Sequence, residues 1–243
     1  MPDQAPGVVR RIAVLSTGGT ISAGRDGDGS LTPQVTVDRL LSALPVPPPP
    51  HCRVIARQIM SVDSAAMSLA DSVAVARHVD EKITAGAGGV VVLHGTDTME
   101  ETALITDLLS AGAPGGHAVP VVFTGAQRGA DHSAPDGPAN LALAIETASG
   151  SHSTPPGVVI AFGGTILRAW GTRKVHTRGL DAFSPWPDFD AADRLRDRAR
   201  GATRCGIDTP LPRVDVVALY PGADSTALDA HRDAGARGLM IEA

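Results

Sequence analysis

The hydrophobic pattern of the chain alternates between short apolar runs and longer stretches with helical spacing. The clearest run covers residues 90–93, whose consecutive apolar side chains predict a strand buried on both faces, as in a parallel sheet covered by helices. Residues 99–105 follow as a predicted helix with glutamates in the first turn, where the helix dipole favours them. Further strands are predicted at 11–16, 54–59, 119–123 and 158–162, and further helices at 35–43, 67–85 and within 134–148. This alternation indicates an α/β fold with a doubly wound, mostly parallel, Rossmann-like sheet.

A second, smaller α/β unit is predicted near the end of the sequence. Residues 185–212 are dominated by Pro, Arg and Asp, a composition typical of a linker. Strand, helix and strand patterns follow at 214–219, 224–234 and 238–241. We therefore expect an N-terminal domain over 8–184 and the start of a C-terminal domain over 213–243. Because the last strand would leave an edge and a face uncovered, we expect this second domain to be truncated.

Composition and charge exclude several classes of partner. The net charge of -5 and the pI near 5.9 give no basic surface for nucleic acid. Residues 1–10 contain no apolar signal region, and no run approaches the roughly 18 apolar residues of a membrane span. We therefore expect a cytoplasmic protein with no membrane partner. The two cysteines, Cys52 and Cys205, lie far apart, so neither a disulfide framework nor a zinc site is indicated.

Hydroxyl groups follow two of the predicted strands directly. The segment TGGTIS at 17–22 follows the first strand, and HGTDT at 94–98 follows the strand at 90–93. Open α/β sheets bind ligands at the carboxyl ends of their strands, so Thr20, Thr96 and Asp97 are candidate site residues. Residues 23–33 are rich in Gly, Asp and Ser and predict a mobile loop that could act as a lid. The similar GGT at 163–165 is interpreted as a plain strand-end turn, and His94 as a packing residue.

Lysine is scarce in this chain, which contains two lysines against nineteen arginines. Lys82 falls late in a predicted amphipathic helix and needs no special explanation. Lys174 falls in an irregular polar stretch, and lysine, unlike arginine, can lose its proton in a protein. A threonine nucleophile needs an adjacent base or relay. Lys174 is therefore a candidate for a relay that acts through the Thr96 hydroxyl, with its resting protonation state left open.

Four motifs carry a resemblance to a known family. TGGTIS at 17–22, HGTDTMEETA at 94–103, TGAQR followed by DGPANL at 136–141, and RKVHT at 173–177 occur in this order. Together they resemble the bacterial L-asparaginase and glutaminase-asparaginase family. The resemblance implies hydrolysis of L-asparagine to L-aspartate and ammonia through a covalent acyl-threonine, without a metal or cofactor. It also implies a homotetramer of intimate dimers, in which the neighbour's C-terminal domain completes each site.

The same resemblance implies roles for individual residues. Thr20 matches the first catalytic threonine, and Thr96, Asp97 and Lys174 match the second threonine, the aspartate and the lysine. The implied substrate-binding residues are Gly19, Asp63, Ser64, Gly95, Thr96 and Asp97. Among them, Ser64 matches the group that meets the α-carboxylate and Asp97 the group that holds the ammonium. Developing charge on the amide oxygen would be met by backbone N–H groups of the glycine turns.

Departures from the family pattern keep other functions open. Leu31 stands where many members carry a catalytic tyrosine, and Ala65 and Ala66 stand where members often place polar groups. A non-catalytic amino-acid-binding homologue is therefore a second hypothesis, and a broader glutaminase-asparaginase activity is a variant of the first. A third hypothesis is an asparaginase-like component of a tRNA-dependent amidotransferase. It is disfavoured because the first strand begins by Arg11, which leaves no room for an extra N-terminal domain.

Overall fold

The computed structural model describes residues 9–18, 21, 23–25, 31–33, 37–109, 119–152, 154, 157–187 and 207–242. The chain divides into two compact units, Met1–Ile207 and Asp208–Ala243, and each is described separately. Most of the predicted linker, residues 188–206, lies outside the described residues.

The first unit is built on a six-stranded sheet with the strand order β4-β1-β5-β6-β7-β8. Its strands are β1 (Arg10–Ser16), β4 (Cys52–Gln58), β5 (Gly89–Leu93), β6 (Val121–Thr124), β7 (Val158–Phe162) and β8 (Thr165–Arg168). The first five run parallel, and β8 runs antiparallel to β7 at one edge. Its helices are α1 (Val37–Ser42), α2 (Leu69–Thr84), α3 (Met99–Leu109) and α4 (Gly137–Ala148).

Helices cover both faces of this sheet. Val90 and Val92 of β5 pack in one buried cluster with residues of α2 and α3, such as Val75 and Met99. The intervening β5 residues point to the other face and pack in a second cluster with residues of α1 and α4, such as Leu40 and Leu141. The alternation of side chains along a strand thus fills two cores from one apolar run. The prediction of a doubly wound, mostly parallel sheet is confirmed.

Short strands appear where the hydrophobic pattern is weak. β2 (Ala23–Arg25) and β3 (Leu31–Pro33) form an antiparallel pair within the segment expected to be a mobile loop, so at its two ends that prediction was wrong. Residues 26–30 of that segment lie outside the described residues. β9 (Thr172–Lys174) and β10 (Phe183–Pro185) form a second antiparallel pair in the stretch expected to be irregular. Neither β9 nor β10 is longer than three residues, so backbone pairing rather than an alternating apolar pattern defines these two strands.

The GGT at 163–165 is a turn, as predicted. Gly163 and Gly164 have φ angles of 57° and 79°, and they connect β7 to its antiparallel neighbour β8. Such positive φ angles are open to glycine at little cost, so the local sequence explains the tight reversal.

The strand order reverses next to β1, and this determines where the motifs meet. The chain moves from β1 to β4 on one side and then returns to β5 on the other. The carboxyl ends of β1 and β5 therefore lie at the topological switch point, where open α/β sheets form a crevice. Thr17 and Gly18, which open the TGGTIS motif, follow β1, and HGTDT follows β5, so the fold brings these residues to one place.

The second unit contains β11 (Val214–Ala218), α5 (Thr226–Asp233) and β12 (Gly238–Glu242). The two strands pair in parallel and α5 connects them. Asp215 links β11 to α5, since its Oδ2 lies 2.7 Å from His231 Nδ1. The same oxygen lies 2.7 Å from Arg213 Nη2. No helix in the described part of either unit is long and apolar enough to cross a membrane.

A buried carboxylate in α3 supports β7 and gives a test of the fold. Asp107 is 4% exposed, and its Oδ1 accepts a hydrogen bond from the backbone N–H of Val158 at 2.9 Å. Asp107→Ala would leave that buried N–H without this acceptor, which should lower the free energy of unfolding by about 2 kcal/mol. Urea unfolding followed by circular dichroism measures the change. Asp107→Asn keeps an acceptor oxygen and should lose less than about 1 kcal/mol. Equal losses in the two variants would show that this hydrogen bond is not the cause.

Candidate active site

The turn after β1 is anchored between the turns after β5 and β4. The backbone N–H of Thr17 donates to Leu93 O at 3.0 Å, and Thr17 O accepts from the N–H of Val62 at 2.9 Å. Gly18 has a φ of 103°, and a Cβ there would lie 3.2 Å from Val62 N, so only glycine fits comfortably. Gly19 and Thr20, the predicted nucleophile, come next in sequence and lie outside the described residues.

Ser64 holds the turn after β5 against the turn after β4. Its Oγ accepts a hydrogen bond from the backbone N–H of Asp97 at 3.3 Å, and its carbonyl oxygen accepts one from Thr98 Oγ1 at 2.8 Å. A Cβ on Gly95 would lie 2.4 Å from Ser64 Oγ, so the two turns can approach only because residue 95 is glycine. Asp63 caps the short 3-10 turn Ser64–Ala66 by accepting from Ala65 N at 3.0 Å.

Three predicted catalytic residues meet in this structure. Lys174 Nζ donates to Thr96 Oγ1 at 2.8 Å and to Asp97 Oδ1 at 2.6 Å. Thr96 is 6% exposed, whereas the side chains of Lys174 and Asp97 are 14% and 52% exposed. The cluster thus extends from the buried hydroxyl of Thr96 to the solvent-exposed carboxylate of Asp97. Lys174 reaches it from β9, 78 residues away from Thr96 along the chain.

Gln127 is a second partner of Thr96 that the sequence analysis did not assign. Thr96 Oγ1 donates to Gln127 Oε1 at 3.4 Å while accepting from Lys174. Gln127 Nε2 donates to His176 O at 3.3 Å, and its backbone N–H donates to Asp136 Oδ2 at 3.0 Å. The Thr96 hydroxyl therefore both donates and accepts a hydrogen bond. The motif TGAQR was recognised as a family signature, but nothing local in the sequence showed which residue Gln127 contacts.

Glu100 is also in contact with the cluster and was also missed. Its Oε2 accepts a hydrogen bond from the backbone N–H of Lys174. Burial raises the pKa of the Glu100 carboxyl above its usual value, and the hydrogen bond from Lys174 opposes that effect. Acidic residues in the first turn of a helix have an ordinary explanation in the helix dipole, which is why the sequence pattern gave no reason to single out Glu100.

His94 lies beneath the cluster as a buried packing residue, as predicted. Its ring lies 6.0 Å from that of Phe123, and its Nδ1 lies 2.7 Å from Gly95 O. A carbonyl oxygen can only accept, so Nδ1 carries a hydrogen in this contact. Among the described residues Nε2 has no hydrogen-bond partner. Burial lowers the pKa of His94 from 6.5 to about 4.

The arrangement has the parts that a hydroxyl relay needs. An amine, a hydroxyl and a carboxylate lie within hydrogen-bonding distance at the carboxyl end of the central strand. Such a set can move a proton to or from a neighbouring nucleophile and can hold a cationic group of a substrate. In the described part of the chain, no three His, Cys, Asp or Glu side chains form a group that could hold a metal ion.

Comparison with known proteins identifies the family. Residues 11–198 match the family described as "Asparaginase, N-terminal". The chain therefore belongs to the asparaginase family, and its fold is that of an asparaginase-family amidohydrolase. The resemblance inferred from the four motifs is confirmed.

Individual relatives carry two different names. A glutamyl-tRNA(Gln) amidotransferase subunit from Methanosarcina mazei is 33% identical over 255 residues, covering 96% of this chain and 57% of its own length. A probable L-asparaginase from Deinococcus radiodurans is 36% identical over 184 residues, covering 75% and 53%. The chain thus spans about half the length of these curated relatives. The solved structure of a probable cytoplasmic L-asparaginase from Campylobacter jejuni matches with a TM-score of 0.73 and 28% identity, over 96% of this chain and 73% of that chain.

The buried neutral His94 predicts a specific loss of stability in acid. As the pH falls below 6.5 the unfolded chain gains a proton on His94, whereas the folded chain gains it only near pH 4. Stability should therefore fall across this window by about 3 kcal/mol from this residue. Urea unfolding at several pH values measures the slope, with His94→Asn as the comparison because its amide can still donate to Gly95 O. An identical slope in His94→Asn would show that another group is responsible.

Proposed function

We propose that this protein hydrolyses L-asparagine to L-aspartate and ammonia through an acyl-enzyme on Thr20. The observation that carries the proposal is the position of Lys174 Nζ, 2.8 Å from Thr96 Oγ1 and 2.6 Å from Asp97 Oδ1. Membership of the asparaginase family supplies the class of reaction, since these residues lie within the matched range 11–198. The chemistry requires no cofactor in this proposal.

The steps follow from ordinary amide chemistry. The Thr20 oxygen attacks the side-chain amide carbon, its proton passes through the relay to the leaving nitrogen, and ammonia departs. Water then attacks the acyl-threonine, which releases aspartate and restores the Thr20 hydroxyl. Thr96 and Lys174 carry the protons in both steps. Backbone N–H groups of the glycine turns meet the charge that develops on the amide oxygen.

The substrate's charged groups have candidate partners at the same edge. Asp97 is half exposed and acidic, so it suits the substrate ammonium, which would then share this carboxylate with Lys174. Ser64 is proposed for the α-carboxylate, together with Gly19, Asp63 and Gly95 around the pocket. Ser64 Oγ already accepts from Asp97 N, which leaves its own hydroxyl hydrogen for that carboxylate. We also propose self-association as a homodimer or homotetramer, in which the partner's C-terminal domain completes the site.

A second candidate function is that of the amide-hydrolysing component of a tRNA-dependent amidotransferase. It is favoured by the 33% identity to the Methanosarcina mazei glutamyl-tRNA(Gln) amidotransferase protein over 96% of this chain. The early position of the first strand, near Arg11, does not argue against this second function. The match covers 57% of the Methanosarcina mazei protein, so a relative with further segments can still be similar to this chain. An amidotransferase must obtain nitrogen from an amide donor, and glutamine is the donor proposed here. Both functions use the same threonine chemistry.

The proposed relay predicts that Lys174 is essential. Lys174→Met removes the amine but keeps much of the side-chain volume, and should lower kcat for ammonia release by at least about 100-fold. Thr20→Ala should abolish turnover, since it removes the nucleophile. Ammonia release from L-asparagine and L-glutamine by each variant is the measurement.

A matched control exists because the chain has only one other lysine, Lys82 in α2. Lys82→Met should leave kcat within about twofold of the unchanged protein. Robust turnover by Thr20→Ala would disprove the threonine mechanism. If Lys174→Met turned over substrate as fast as Lys82→Met, Lys174 would have no role in the proposed mechanism.

The two candidate functions predict different responses to an added acceptor. A free-standing asparaginase should release ammonia from asparagine alone, at a rate that does not change when glutamyl-tRNA and an amidotransferase partner protein are added. An amidotransferase component should prefer glutamine and be stimulated at least tenfold by those additions. Measuring both amides with and without them separates the two. Absence of turnover under all four conditions would favour the non-catalytic hypothesis.

A further inference from the structure

The pairing of β9 with β10 leaves the backbone N–H of Lys174 without a partner in that hairpin. Val175 N donates to Ala182 O at 2.7 Å, and Trp186 N donates to Gly171 O at 2.6 Å. Alternate residues of an antiparallel pair form the hydrogen bonds, so Lys174, opposite Phe183, falls at a non-hydrogen-bonded position. Its N–H therefore points away from β10 and needs an acceptor elsewhere.

Glu100 supplies that acceptor from α3. Its Oε2 accepts from Lys174 N, although the two residues are 74 positions apart in sequence. Glu100 stands in the first turn of α3, directly after the turn that carries Thr96 and Asp97. The turn before α3 thus presents the two groups that bind Lys174 Nζ, and the first turn of α3 presents the group that binds the Lys174 backbone.

We propose that Glu100 is a positioning residue, which fixes the backbone of Lys174 so that Nζ reaches Thr96 Oγ1. A lysine side chain is long and flexible, so contacts at Nζ alone do not define where its Cα lies. The contact at Glu100 fixes the other end of the side chain against the same helix. A displacement near 1 Å at a reacting group can cost about 100-fold in rate, so this second contact has a kinetic consequence. The kinetic part of this inference rests on the proposed amide hydrolysis.

The hydrogen bond, rather than the negative charge alone, is the basis of this role. Glutamine at position 100 keeps an acceptor oxygen at the same reach, alanine keeps none, and aspartate keeps the charge on a side chain one methylene shorter. Glu100→Ala and Glu100→Asp should lower kcat by about 10- to 100-fold with KM within about threefold. Glu100→Gln should restore kcat to within about fivefold. Glu101→Ala is the matched control, since Glu101 is the exposed neighbour, and should leave kcat unchanged.

Two readouts report on Lys174 without any turnover. Protein labelled with 15N only at lysine gives two backbone amide signals, from Lys82 and Lys174, because the chain has only two lysines. Glu100→Ala and Glu100→Asp should move the Lys174 signal and leave the Lys82 signal in place. Limited reaction with an amine-selective reagent should modify Lys174 at least threefold faster, relative to Lys82, in these variants than in Glu100→Gln.

Each result bears on the proposal. A Lys174 amide signal that does not move in Glu100→Asp overturns it, as does an unchanged kcat in that variant when the unchanged protein is active. Equal loss of kcat in Glu100→Gln and Glu100→Ala would also overturn it, because the acceptor would not be what matters. If the unchanged protein hydrolyses no amide, the proposed function fails, and the relative modification of Lys174 then decides the positioning role alone.

Discussion

The approach of Gly95 to Ser64 is the contact on which the rest of the site depends. Since a Cβ at residue 95 would lie 2.4 Å from Ser64 Oγ, the turns after β5 and β4 can meet only with glycine there. Their meeting places Asp97 N on Ser64 Oγ and Thr98 Oγ1 on Ser64 O. The same turn leads into α3, so its position sets where Thr96, Asp97 and Glu100 face Lys174. The close approach of Gly95 to Ser64 thus helps to set the positions of three side chains, those of Thr96, Asp97 and Glu100.

The polarity of the site changes with depth. The neutral His94 ring lies fully buried, Thr96 is 6% exposed, and the Asp97 side chain is 52% exposed. A positive charge on the buried His94 ring would lose its hydration, and burial accordingly lowers the pKa of His94 to about 4. The charged pair formed by Lys174 and Asp97 lies nearer the surface than His94. The proton path proposed here therefore runs from the surface toward a buried hydroxyl, in surroundings where hydrogen bonds are strong.

The sequence predicted the parts of the structure that local pattern determines. The run at 90–93 identified β5, and strand-end polar groups singled out Thr96 and Asp97, which the structure places in contact with Lys174. The scarcity of lysine and the family motifs singled out Lys174. They did not predict that Lys174 stands in a strand, because β9 has three residues and no apolar face. Gln127 and Glu100 could not be predicted from pattern, since their contacts join residues 31 and 74 positions apart. The roles of all the candidate site residues remain predictions, and Gly19 and Thr20 also lie outside the described residues.

The chain is similar both to an asparaginase and to an amidotransferase protein, and the proposed relay suits either function. In the proposed mechanism Thr96, Asp97 and Lys174 act on protons and on the substrate's ammonium, which asparagine and glutamine share, so these residues would not choose between the two amides. The amides differ by one methylene, a difference that an apolar pocket exploits by only about 1–3 kcal/mol. Ala65 and Ala66, exposed beside Ser64, offer no side-chain hydrogen bond that would sharpen the choice. On the proposed chemistry, the position of the pocket wall and the presence or absence of a partner that receives ammonia would distinguish the two candidate functions.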